Sequence, residues 1–350
     1  MSKPSIAING RQIGPDFAPY VIAELSANHN GSLDTALQIV REAKLAGADA
    51  IKLQTYTADT ITLDCANPEF QINGGLWHGE TLHSLYRKAH MPWEWHSVLF
   101  EEARKNDITI FSSPFDSTAV DYLEDLNAPA YKIASFEAID LPLIKYAAST
   151  GKPMIISTGM ADAEEIAEAI DAAKGGGCKQ LAVLHCVSGY PAPTEDYNLR
   201  TLPDMIERFG LVTGLSDHTL DNTTAITSVA LGASIIEKHF TLNRLGGGPD
   251  DSFSLEPGEL AQLCKDSKTA WAALGKVDYG RKSSELGNVQ FRRSIYFVED
   301  LRAGQIITSE SIRSVRPGFG LPPKYFEQII GRKVNRDISK HSPVRFEDLA

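Results

Sequence analysis

The stretch LAVLHCVSGYPAPTEDYNLRTLPDMIERFGLVTGLSDHTLDNTTAITSVALGASIIEKHFT, residues 181–241, runs through one pattern three times. The runs LAVLHCV (181–187), LVTGLSDH (211–218) and SIIEKHFT (234–241) are short, rich in β-branched residues and polar at their ends. The intervals between them leave room for a helix, as in NTTAITSVALG, which is how a parallel sheet with βα crossovers reads. Working outward to the N-terminus, the same pattern appears in VIAEL (21–25), AIKLQTY (50–56), ITIFSSPF (108–115), YKIAS (131–135) and MIISTG (154–159). The helical stretches SLDTALQIVREAKLAG, WEWHSVLFEEARKN and DAEEIAEAIDAAKGGG each start on polar or acidic residues that suit a helix N-terminus. Eight βα units predict a closed (β/α)8 TIM barrel. The rival, a doubly wound dinucleotide fold, wants GxGxxG after the first strand, where SANHNGS stands instead.

Polar residues gather at the C-terminal ends of the runs: Glu24, Lys52 and Gln54, Ser112 and Ser113, Lys132 and Ser135, His185, Asp217 and His218, Lys238 and His239. In a barrel those ends face one mouth, and polar groups in buried strands are costly unless they serve one another or a ligand. His218 and His239 end neighbouring runs; they suit a borderline divalent ion completed by water and substrate, or else acid–base work or a wet pocket lining. Lys52 and Lys132, with Ser113, Ser135 and Ser216, read as an anion site for a phosphate and a carboxylate. A Schiff-base lysine, which needs an amine free of anionic partners, and plain structural ion pairs are the alternatives. Glu24 and Glu137 are the carboxylates nearest the mouth, Glu137 also reading as an exposed loop acid. His185 and Cys186 share a strand and point to opposite faces, which places Cys186 in the core.

The stretch from about 58 to 86 is long for a βα loop and reads as a lid or specificity element, or as a rim whose Phe70 and Trp77 pack loosely. The triplet of glycines at 175–177 lacks the lysine of a phosphate loop and reads as a helix stop. The triplet at 246–248 lies beyond the last strand, where it allows a close or mobile loop and leaves Asp250 free for sugar hydroxyls.

The chain has 350 residues, with 43% hydrophobic and 23% charged, an ordinary globular composition. A net charge of −11 argues against nucleic acid. The four cysteines form no framework and no signal peptide or apolar membrane span occurs, so a cytoplasmic, reducing location is expected. The barrel is expected over 1–280, a linker over 281–290 and a small second domain over 291–350 with short strands SIYFV and QIIT and a helix YFEQIIG. Residues 281–350 carry a local charge of +5 and the rest −16, so the small domain brings positive charge to a barrel, its own or a partner's.

IAELSANHNGS, IKLQTY, FSSPFD, YKIAS, ISTGM, LHCVSGYPAP, GLSDHT, EKHFT and GPDDSFSLEP, in that order and followed by FRRS and RPG, resemble the sialic acid synthase family. The resemblance covers essentially the whole chain. It implies a phosphoenolpyruvate-dependent nonulosonic acid synthase: a TIM barrel with a small antifreeze-like (SAF-type) C-terminal domain, in a domain-swapped homodimer whose small domain caps the partner's active site. ELSANHNGS and NPEFQINGGLWHGETLHSLYRKAHMPWEW resemble the branch that makes pseudaminic acid. Phe136, where glycine is usual, and Val187-Ser188, where Thr-Asn is usual, turn the expectation from N-acetylmannosamine toward a less polar N-acetylated deoxy sugar, 2,4-diacetamido-2,4,6-trideoxy-altrose. By the same resemblance His218 and His239 are the metal ligands, with Mn²⁺ first and Mg²⁺ or Co²⁺ as alternatives. Lys52, Ser113, Lys132, Ser135, Ser188 and Ser216 resemble the phosphoenolpyruvate site, and Glu24, Gln54, Glu137, Tyr190 and Asp250 the sugar or water contacts. Glu24, or a water it orients, is expected to transfer the proton. Arg316 resembles the arginine that the partner's small domain presents to the sugar. The alternatives are a legionaminic or N-acetylneuraminic acid synthase of the same chemistry, a Schiff-base aldolase and a non-enzymatic binding protein.

Overall fold

A computed structural model describes residues 3–350. The chain divides into two compact units, Met1–Gly275 and Lys276–Ala350. The first unit opens with an antiparallel hairpin, β1 (Ile6–Ile8) and β2 (Arg11–Ile13), that the patterning did not anticipate. Eight parallel strands follow: β3 (Tyr20–Glu24), β4 (Ala50–Thr55), β5 (Thr109–Pro114), β6 (Tyr131–Ile133), β7 (Met154–Ser157), β8 (Leu181–Cys186), β9 (Val212–Asp217) and β10 (Ile235–His239). Their order is sequential and β10 pairs with β3, His239 opposite Glu24, which closes the barrel as expected.

The expected helices form where the patterns lie, at Leu33–Ala46, Trp93–Lys105, Ala163–Gly175, Thr223–Ala230 and Pro257–Leu274. Their starts follow the chemistry of the chain: the Ser32 hydroxyl accepts from the Thr35 amide, and Asp162 accepts from the amides of Glu164 and Glu165. Gly47, with φ of 91°, ends the first helix in the left-handed region that side chains avoid.

Strand alternation sorts the barrel residues into two sets. Val21, Ala23, Ile51, Leu53, Ile110, Leu215 and Ile236 point outward into one of the cores under the helices. Ile22, Ala50, Phe111, Ile155, Ala182, Leu184, Val212 and Ile235 point inward and pack with Ile6, Ile8 and Ile13 of the hairpin, which fills the N-terminal end of the barrel. The interior is thus apolar at one end, and continuing each strand by two residues brings polar side chains to the other.

In the second unit β11 (Ser294–Phe297) pairs antiparallel with β12 (Ile312–Val315). Its own core includes Ile295, Phe297, Leu301, Ile312, Val334 and Val344. QIIT does not form a ladder strand: Ile306 makes an isolated bridge to Lys333, and the flanking turn leaves Ile307 buried. The expected helix YFEQIIG shortens to Phe326–Ile329.

Candidate active site

The inward set at the C-terminal ends of the strands lines a cavity of about 500 Å³, within the range of small-molecule sites. Glu24, Lys52, Gln54, Lys132, Ser135, Glu137, Ser188, Tyr190, Ser216, His218, His239 and Asp250 all line it. Ser113 lies beneath, within 3.3 Å of Lys52 Nζ. Arg316 belongs to the second unit, is exposed, and has no carboxylate partner among the described residues.

Several residues assigned to the mouth turn away from it. Ser112, His185, Asp217 and Lys238 occupy the outward set: the Ser112 and Thr55 hydroxyls pair, His185 contacts the Tyr197 carbonyl, and Lys238 pairs with Asp217 at 2.9 Å. Cys186 is buried, as expected of a core residue, but on the inward face two residues beyond Leu184, so it also lines the cavity. The same alternation brings in a residue absent from the polar strand ends named above. Glu237 precedes inward His239 by two positions and is buried between both lysines, 3.2 Å from Lys132 Nζ and 3.6 Å from Lys52 Nζ. In EKHFT the neighbouring Lys238 and His239 are as polar as Glu237, and the period of two is the signal that picks out Glu237 and His239 as the inward pair.

Lys52 Nζ also reaches Glu24 Oε2 at 2.6 Å, so the four charges form one buried chain, Glu24, Lys52, Glu237, Lys132. Ser216 donates to Glu237 Oε1 at 3.1 Å, and Gln54 donates to Glu24 Oε1 at 3.1 Å and to Ser26 at 3.0 Å. Burial would raise Glu237, but Lys132 and Lys52 outweigh it and hold this carboxyl well below the ordinary range. Burial pushes Glu24 up, with Lys52 pulling the other way. Burial and the neighbouring Lys52 charge lower Lys132, whereas for Lys52 the two carboxylates overcome burial and raise it. The lysines are therefore not bare anion receptors: each already has a carboxylate, the condition a Schiff-base amine avoids. Burial also raises Glu137 to about 7, and one of its carboxyl oxygens has no partner.

The two histidines lie side by side, ring centroids 5.4 Å apart, with the Tyr190 ring 4.3 Å from that of His218. His218 Nδ1 lies 2.8 Å from the Val187 carbonyl, so a proton there donates to that oxygen; burial would lower this imidazole, but Cys186, the Val187 carbonyl and Glu237 outweigh it and raise it. Burial, with the nearby charges of His218 and the lysines, drives His239 well below the ordinary range, which keeps it neutral, and its Nδ1 is buried without a partner. Two imidazoles side by side in the lining of one cavity are the donor set a borderline divalent ion would take, His218 giving up any second proton to bind it. They do not form a complete shell, since no group of three or more metal-ligating side chains occurs among the described residues.

Glycines permit two close approaches here. Ser135 and Ser188 hydroxyls meet at 2.8 Å beside Gly159, where a Cβ would fall 2.4 Å from that of Ser135. Gly248 packs on Asn30, where a Cβ would fall 1.7 Å from Oδ1, and its amide donates to Asp251 at 2.8 Å. The loop after β10 is thus held close, with Asp250 accepting from Ser26.

So many charges buried at the C-terminal mouth of a barrel, paired with each other beside an open cavity, define a barrel enzyme for an anionic substrate. The chain belongs to the NeuB family, whose sequence model matches residues 39–279, and a SAF domain matches residues 292–350. It is 42% identical over 332 residues to a pseudaminic acid synthase of Helicobacter pylori, covering 95% of this chain and 98% of the relative. It is 43% identical to a pseudaminic acid synthase of Campylobacter jejuni, covering 94% and 96%. Among solved structures, an N-acetylneuraminic acid synthetase from Leptospira borgpetersenii in complex with citrate superposes with a TM-score of 0.74 at 31% identity, covering 83% of this chain and 96% of that one.

Proposed function

We propose that this protein is a pseudaminic acid synthase, condensing phosphoenolpyruvate with 2,4-diacetamido-2,4,6-trideoxy-altrose and water to give pseudaminic acid and phosphate. The observation that carries the reading is the buried chain Glu24–Lys52–Glu237–Lys132 beside His218 and His239 in one cavity. The two relatives named for this activity support the choice of acceptor.

C3 of phosphoenolpyruvate bonds to the aldehyde carbon of the open-chain sugar, whose oxygen takes a proton. Water adds its hydroxyl at C2 and gives up a proton, and the tetrahedral intermediate collapses to the ketone as phosphate leaves with its bridging oxygen. A divalent ion held by His218 and His239, Mn²⁺ first and Mg²⁺ or Co²⁺ next, would polarise the aldehyde as a Lewis acid. Lys52 and Lys132 hold the phosphate and carboxylate, which compete for the amines with Glu24 and Glu237. Ser113, Ser135, Ser188 and Ser216 supply hydroxyls to the same anion. Glu24, raised by burial, can hold a proton near neutral pH and is placed to give or take it. Gln54, Glu137, Tyr190 and Asp250 contact the sugar. Arg316 completes the site in a second copy of the chain, as a domain-swapped homodimer requires.

Phosphate release from phosphoenolpyruvate with Mn²⁺ tests the reading, with the altrose compound, its legionaminic-type isomer and N-acetylmannosamine compared side by side. Release with the altrose compound is expected. Release with another sugar alone moves the chain to another branch of the family, and no release with any of them overturns the activity.

A further inference from the structure

One side of the cavity is built from residues 57–89, between β4 and the helix Trp93–Lys105, and its chemistry differs from that of the strand ends. Thr57 caps the short helix Ala58–Ile61, and Thr81 with Ser84 caps Leu82–Ala89. Between them the Ile72 amide donates to the Glu80 carbonyl and the Gly79 amide to the Ile72 carbonyl, closing a loop that carries Trp77. The Trp77 indole N–H donates to the Pro249 carbonyl at 3.3 Å, next to Asp250. The far end is tied down by His29: its Nδ1 accepts from the Gly31 amide, so Nε2–H donates to the Ala89 carbonyl at 3.3 Å. The segment is thus fastened to the loops after β3 and β10 and stands over the site.

The residues it turns into the cavity include Ile61, Ile72, Trp77, Leu82 and Leu85. Apart from the phenols of Tyr56 and Tyr86, this wall has no free hydrogen-bonding side chain, since the Trp77 N–H is already used. Four of the five are only partly buried, and an apolar surface left open to water inside a concave site gains by being covered. A methyl group laid on it leaves water favourably, whereas a hydroxyl laid there gives up hydrogen bonds with nothing to replace them.

We propose that Ile61, Ile72, Trp77, Leu82 and Leu85 form a methyl-reading subsite that takes the C6 methyl and the C4 acetamido methyl of the acceptor. This inference rests on the acceptor class proposed above. The polar strand ends handle the phosphate, carboxylate and aldehyde; the segment 57–89 selects the sugar by the groups that separate a trideoxy diacetamido aldehyde from N-acetylmannosamine, which has hydroxyls at C4 and C6.

The test is kcat/KM for both sugars, with KM for phosphoenolpyruvate, in wild type, Ile72→Ser, Trp77→Ala and Trp77→Phe. An apolar pocket discriminates by about tenfold to a hundredfold. The ratio of the trideoxy sugar to N-acetylmannosamine is therefore expected to fall by about tenfold or more in Ile72→Ser and Trp77→Ala, with KM for phosphoenolpyruvate within about twofold of wild type. Trp77→Phe keeps the apolar face while losing the bond to Pro249, and is expected to retain most of the selectivity. A preference for the trideoxy sugar that survives both Ile72→Ser and Trp77→Ala overturns the subsite and leaves the function standing. A parallel loss for both sugars also overturns it, showing a structural rather than a selective wall. Wild-type preference for N-acetylmannosamine overturns the acceptor and the subsite together.

Discussion

At the scale of the residue, burial without a partner is what marks Glu137. Its carboxyl is raised from 4.5 to about 7 chiefly by burial, and an oxygen is left unbonded. A raised carboxyl binds more protons in the folded than in the unfolded chain, so its contribution to stability is complete below about pH 4.5 and is lost as pH rises through about 7. At about 1.4 kcal/mol per unit, the loss approaches roughly 3 kcal/mol above pH 8. Glu137→Gln is therefore expected to match wild type in Tm near pH 4 and to exceed it at pH 8, read by thermal melts of the substrate-free protein. Parallel pH profiles would remove Glu137 as the source. For His218 and His239, substitution of either by Ala is expected to weaken Mn²⁺ binding at least tenfold in calorimetry, because each removes one of the two imidazoles that line the cavity. Unchanged affinity in either variant would reassign that imidazole. That these histidines and the two lysines belong to one mouth was legible from residue type and position, as was a lysine as one possible partner of Glu24; Glu237 as partner of both lysines was not, because pairing across strands depends on barrel register.

At the scale of the element, the eight strands were legible in sequence and the facing of their ends was only half read. Short apolar runs at helix-sized spacing identify the strands, but both faces of a barrel strand are buried, so hydrophobicity alone does not say which face a polar residue takes. Alternation decides it: Glu237 and His239 face in, Lys238 faces out. The outward position of Lys238 has its own consequence. Its ammonium pairs with Asp217 and donates to the carbonyls of Thr219 at 2.8 Å and Asp221 at 2.6 Å, gripping the turn that carries His218. Removing one member of a buried pair leaves the other charge uncompensated, at about 3–5 kcal/mol. Lys238→Met is expected to lose stability on that order, with Lys238→Met/Asp217→Asn less destabilised than the sum of the two singles in denaturant melts. Additive losses would mean that the pair is not coupled. The N-terminal hairpin went unread because three-residue strands carry too little pattern.

At the scale of the whole molecule, charge and composition separate a barrel of net −16 over residues 1–280 from a tail of +5, and the fold divides the chain into two units that each have a core. What one chain's pattern does not contain is whether the exposed Arg316 serves a site as proposed, and in which copy. Under the proposed domain-swapped homodimer, that becomes a matter of counting intact sites. His218→Ala and Arg316→Ala are each expected to be impaired alone, the second most visibly as a raised KM for the sugar with little change for phosphoenolpyruvate. When the two variants are mixed and allowed to exchange subunits, a mixed dimer in which Arg316 acts on the partner's barrel has one site with both lesions and one with neither. Random exchange then restores roughly a quarter of wild-type sites, measurable at sugar concentrations too low for Arg316→Ala alone. If Arg316 serves its own barrel, every site in every mixed dimer keeps exactly one lesion and mixing restores nothing, so an activity no higher than the average of the two parents would refute the swapped arrangement.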